Sequence, residues 1–184
     1  KYDLREADAL VGACAAWDYL SATELVSEQL MADVRERTVQ RIDAFREIHF
    51  RPGPYQALLV LAQNNHPMKV LGAVGFCAMA FPDRPEAAEE LNEALASMVY
   101  LLHEYQGNAA GGYAEGWNYL SYGDQTWLPF FVAVHRWLDG GEAKARGLGL
   151  VTPKDASARQ LRSYGDPAVS PITRAIYETA LLAA

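Results

Sequence analysis

A chain of 184 residues, 51% hydrophobic and 21% charged, has the size and balance of one globular domain. Its formal charge of -7, from 16 Lys+Arg against 23 Asp+Glu, argues against a nucleic-acid binder, whose affinity rests on clustered cations, but leaves room for an anionic substrate in a locally basic pocket. No apolar run reaches the ~18 residues of a membrane-spanning helix, and Lys1, Tyr2 and Asp3 lead straight into a helical pattern without a signal-peptide layout, as expected of a processed chain or an excised segment.

Leu10, Ala13, Trp17 and Leu20 share one helical face and predict a first helix over residues 4–20. Ser21, Ala22, Thr23 and Glu24 have the form of a capping box. Beyond it, Leu30, Val34, Thr38, Ile42 and Phe45 predict a long second helix whose outer face carries Asp33, Arg35, Glu36 and Arg37. Two prolines and a glycine at 51–54 end that pattern, and a short apolar turn over 57–62 leads to Asn64, Asn65 and His66.

Pro67 suits the first position of a helix, and Met68 to Phe81 follows with no charge after Lys69 and with glycines at 72 and 75, the composition of a helix buried all round. After a turn at 81–85, Leu91, Leu95, Met98, Leu101 and Leu102 predict a helix from Glu86 to Tyr105 that stops at Gly107. A loop rich in glycine and aromatic residues runs from Asn108 to Asp124, before an apolar helix from Gln125 to Leu138. Residues 142–171 read as irregular, and a last helix is predicted from Ile172 to about Leu182.

No segment keeps a period of two between hairpin turns, so the fold class is all-α. Helices with a charged face alternate with nearly apolar ones, which predicts antiparallel hairpins in two layers with the apolar members inside. Cys14 and Cys77 lie among small apolar neighbours and are expected as buried free thiols. His49, His66, His103 and His135 are far apart and none stands four residues from another, so no helix-borne metal pair exists, and neither metal nor cofactor is expected.

Two segments carry more polar and aromatic groups than a connection needs. Asn64, Asn65 and His66 immediately precede the buried helix, where unpaired backbone N–H groups and a partial positive charge favour an anion such as a carboxylate. Asparagine is also a favoured helix cap, which is the structural alternative. The stretch Gly111 to Gly123 holds Tyr113, Tyr119, Tyr122, Trp117, Glu115 and Asn118 in thirteen residues. Aromatic faces stack on sugar rings while hydroxyl, carboxylate and amide groups bond sugar hydroxyls; the alternative is an aromatic lid over the end of a bundle.

Asn65 and His66 opening an apolar helix, followed some fifty residues later by Gly-Gly-Tyr-Ala-Glu-Gly-x-x-Tyr-x-x-Tyr-Gly and a second apolar helix, resemble the α/α-toroid domain of heparinase II/III-type and oligoalginate polysaccharide lyases. The opening helix pair, with Ala16 to Ser21 at its joint, is similar to an earlier hairpin of that domain, and the likeness covers roughly residues 5–138. Residues 139–184 stay unassigned within a single domain spanning 1–184. A full toroid of twelve helices needs roughly 200 residues, so the expected architecture is a partial toroid.

The resemblance implies β-elimination at a uronic-acid sugar of an acidic polysaccharide or oligosaccharide, without a redox cofactor. Asn65 and His66 match the pair that neutralises the C5 carboxylate, and the acid/base tyrosine falls on Tyr122 or Tyr119, with Tyr122 favoured because it directly precedes the second apolar helix. Asn64, Tyr113, Glu115, Trp117 and Asn118 are the expected substrate-binding residues. A phenol of ordinary pKa, about 10, becomes a base near neutrality only where positive charge or donors stabilise its anion. The family also implies a β-sandwich domain in the parent protein and a periplasmic or secreted location. Two rivals remain: an α/α-barrel glycoside hydrolase, which needs two carboxylates across the bond, and a non-catalytic helical binding module.

Overall fold

The computed structural model describes residues 4–49, 65–102, 107, 110–138 and 171–183. Six helices form there: α1 (Leu4–Ser21), α2 (Glu28–His49), α3 (Asn65–Ala80), α4 (Ala87–Leu101), α5 (Trp117–Leu138) and α6 (Pro171–Ala183). Among the described residues there is no strand, only one isolated bridge between Gly107 and Tyr113. The chain is therefore all-α over these residues. No described helix is long and apolar enough to cross a membrane. The turn expected at 57–62, Asn64, His103 and the stretch 142–170 lie outside the described residues.

Ala7, Leu10, Val11 and Cys14 recur at helical spacing and form the buried face of α1. The capping box expected at Ser21–Glu24 does not start α2, because its hydroxyls close α1 instead. Ser21 Oγ donates to the Asp18 carbonyl at 2.9 Å, and the Thr23 hydroxyl and amide both donate to the Leu20 carbonyl at 2.9 and 3.0 Å. Ser27 caps α2: its Oγ accepts the Leu30 amide at 3.3 Å and its carbonyl accepts that of Met31 at 3.0 Å.

Short connections double α1 back onto α2 and α3 onto α4 as helical hairpins, and α3 packs against α1, α4 and α5. One core holds Met68, Leu71 and Ala78 of α3 with residues of α4, α5 and α6, while Val70, Ala73, Val74 and Cys77 join α1 and α2 in a second core. α3 is thus enclosed on all sides, as its sequence predicts. Gly72 and Gly75 make its contact with α5 possible: a Cβ on Gly72 would lie 2.9 Å from the Trp127 Cα, and one on Gly75 would fall 2.4 Å from the edge of the Phe130 ring. At the α3–α4 turn, the buried Arg84 makes a two-pronged bond to Glu90 at 2.9 and 3.1 Å and reaches Asp43 of α2 at 2.8 Å.

Helix α5 begins about two turns earlier than expected. Gly116, at φ +79°, donates its amide to the Tyr113 carbonyl at 3.0 Å, and its own carbonyl accepts the Leu120 amide at 3.1 Å. Leu120, Gly123, Trp127, Phe130, Phe131 and Val134 then form one buried face, which the surrounding glycines and tyrosines disguise in the sequence. Tyr119 and Val132 stay exposed on the other side, so α5 is buried along one face only.

Candidate functional site

Asn65 and His66 belong to the helical part of the chain rather than to a loop before it. The Asn65 side chain is fully buried, and the backbone N–H of Asn65 donates to the Glu115 carboxylate. Glu115 therefore takes the position at the start of α3 that the sequence suggests for a ligand anion. Burial pushes its carboxyl above the usual carboxylate range, against the Asn65 bond and the nearby His66 charge, which both pull it down. His66 itself is exposed at the rim.

One turn along α3, on the same face as Asn65, stands Lys69, with no exposed side-chain surface. Its ammonium lies 2.7 Å from Asp8 Oδ1 of α1, donates to the Tyr122 carbonyl at 3.3 Å, and sits 3.8 Å from the centre of the Tyr122 ring. Thr126 Oγ1 donates to the same Asp8 oxygen at 2.8 Å. A buried cation thus links α1, α3 and the first turns of α5, and Tyr122 is half-buried against it.

Beside Asn65, Gly123 leaves the space that brings the Trp127 indole close: a Cβ there would meet Nε1 at 2.8 Å and the Asn65 Cβ at 4.0 Å. Trp127 packs on Tyr177 of α6 with ring centres 6.2 Å apart, and Tyr177 donates its hydroxyl to Asp124 Oδ1 at 2.7 Å. Burial pushes the Asp124 carboxyl up to about 6 even though the Tyr177 bond pulls it down. The buried Tyr113 phenol is driven above its ordinary range, by burial first and then by the charges of Glu115 and Asp124. Those mutual effects place Tyr113, Glu115, Asp124 and Tyr177 in one neighbourhood.

Five side-chain polar atoms are buried without a hydrogen-bond partner among the described residues: Asn65 Nδ2 and Oδ1, Tyr113 Oη, Glu115 Oε2 and Trp127 Nε1. All five belong to this cluster. Each such atom costs about 1–3 kcal/mol when left unbonded, and folded proteins leave few of them. Together they offer an indole donor, an amide that donates and accepts, a phenol and a carboxylate acceptor, a set suited to hydroxyl groups.

Of the residues expected from sequence, the structure joins Asn65, His66, Tyr113 and Glu115, and ties Tyr122 to them through Lys69. Tyr119 and Asn118 lie exposed on the first turns of α5, which Trp117 opens. Lys69, Asp8, Asp124, Trp127 and Tyr177 are the members that sequence reasoning passed over. For Lys69 the signal was present, as the one charge inside an otherwise apolar helix. No group of three or more potential metal ligands occurs among the described residues. Comparisons with protein families, with curated proteins and with solved structures find no match to this chain.

Proposed function

We propose that this cluster is the sugar-binding and acid/base centre of a polysaccharide or oligosaccharide lyase acting on a uronic-acid glycan, within a partial α/α toroid. The observation that carries the reading is the gathering of five unpartnered buried polar atoms on Asn65, Tyr113, Glu115 and Trp127 beside a tyrosine that faces a buried cation. In the elimination, Tyr122 takes the C5 proton, the C5–H electron pair forms the C4=C5 double bond, and the C4–O4 pair leaves with O4, which receives the proton. His66, exposed beside the buried Asn65, meets the substrate carboxylate, and Lys69 holds the Tyr122 ring in place by its contact with the ring face. Tyr113, Glu115, Trp117 and Asn118 hold sugar hydroxyls and ring faces, and Tyr119 contributes an exposed aromatic surface.

One observation favours a second reading. Asp124, with its carboxyl near 6, and Glu115, also raised, resemble the proton-holding acids of glycoside hydrolases. Incubation with a panel of oligouronates separates the two. A lyase yields an ultraviolet-absorbing unsaturated uronate, a hydrolase yields new reducing ends without that chromophore, and a binding module yields calorimetric binding with neither product. Absence of all three signals across the panel rejects the carbohydrate reading.

A further inference from the structure

Cys14 of α1 and Cys77 of α3 are 63 positions apart in sequence, and the Cys14 thiol donates to Cys77 Sγ at 3.1 Å. Both side chains are fully buried, in the core that also holds Ala7 and Ala73, whose small side chains add little bulk where the two helices meet. The sulfurs stand about 1 Å beyond the ~2.05 Å of a disulfide bond, closer to it than any separation that would hold the two thiols apart. We propose that Cys14 and Cys77 are a cross-linking pair whose oxidation joins α1 covalently to α3.

With a small-molecule disulfide such as oxidised glutathione as the oxidant, the chemistry is thiol–disulfide exchange. One cysteine thiolate attacks the glutathione disulfide and releases one glutathione thiol. The second cysteine attacks the protein sulfur of the mixed disulfide and releases the other glutathione, so two protein thiols give up two protons and two electrons while one disulfide is reduced to two thiols. The contact with Cys14 and then burial push the Cys77 thiol well above its ordinary range, which makes thiolate scarce in the folded state. The bond therefore needs the buried pair to open to glutathione first. Once formed, it holds in place the helix that carries Asp8, and with it the anchor of Lys69. None of this depends on the lyase reading.

The test is refolding of the reduced, denatured chain in a mixture of reduced and oxidised glutathione, followed by intact mass measurement and non-reducing peptide mapping. The expected product is a monomer two hydrogens lighter than the reduced chain, with the Cys14 peptide joined to the Cys77 peptide and released by dithiothreitol. Two free thiols, glutathione adducts on either cysteine, or a covalent dimer as the final product would overturn the assignment. Where refolding from full denaturation aggregates, the same buffer with partially denaturing urea gives the same readout on native protein.

Discussion

The Lys69 ammonium sits 3.8 Å from the centre of the Tyr122 ring, and Asp8, on a helix near the start of the chain, holds it there at 2.7 Å. A lysine with no exposed surface is costly to bury, and here three groups compensate it: a carboxylate, a backbone carbonyl and an aromatic face. The arrangement ties the electrostatics of the candidate base to the docking of α1.

The two partners of this ion pair differ in access to water, with side-chain exposures of 0% for Lys69 and 34% for Asp8. Asp8→Asn strands a charge in the interior and should cost about 3–5 kcal/mol of stability. Lys69→Met leaves a carboxylate that water can reach, so its cost should be smaller. Chemical denaturation of both variants and of the double variant checks the order; equal costs would contradict the asymmetry.

Gly75 faces the Phe130 ring so closely that any side chain collides with it. Gly75→Leu should overpack the α3–α5 contact and lower stability by about 1–3 kcal/mol or more. Gly12, whose Cβ would meet nothing within 4 Å, is the matched control. Gly12→Ala should leave the denaturation midpoint unchanged or slightly higher, since alanine is the better helix former.

Asp124 titrates near 6 in the folded chain against about 3.9 when unfolded, so the folded state holds its proton more tightly. Its contribution is present in full below about pH 4 and is lost as pH rises through about 6. The melting temperature of the wild type should therefore fall relative to that of Asp124→Asn across this interval. Parallel pH profiles for the two proteins would show that the carboxyl is not raised.

For the lyase reading, Tyr122→Phe keeps the ring over Lys69 and removes only the hydroxyl. Turnover should drop by roughly 10²–10⁴-fold with glycan affinity little changed, the pattern of a lost general base. Tyr119→Phe should mainly weaken binding, and His66→Ala should slow turnover by leaving the substrate carboxylate less neutralised. The reverse pattern between the tyrosines would move the base to Tyr119, and full activity in both would remove tyrosine from the mechanism.

The enclosed helix α3 was legible because a run with no charge after Lys69 admits no solvent face; α1 was legible as a helix from Leu10, Ala13, Trp17 and Leu20, although the face it buries is Ala7, Leu10, Val11 and Cys14. The start of α5 was not. There the buried face begins with Leu120 and Gly123 among residues that look like a loop, and the turn that permits it depends on the left-handed Gly116. In the site, Asn65 and Glu115 were legible as polar groups set before apolar helices. Asp8 and Tyr177 were not, since Thr126 meets Asp8 across 118 positions and Tyr177 meets Asp124 across 53, and such pairings leave no local pattern.

Gly111, at φ +82°, lies so close to α6 that an added Cβ would overlap Thr179 Oγ1 and approach the Ala175 carbonyl. The glycine-rich turn is thus shaped by a helix that emerges from the ribosome long after it, while Asp8, made first, waits for Thr126. Contacts of such sequence separation form late and slowly. During synthesis the first hairpins can pack while the cluster around Asn65 is still incomplete, and a nascent chain that stops before residue 177 lacks the hydroxyl bonded to Asp124.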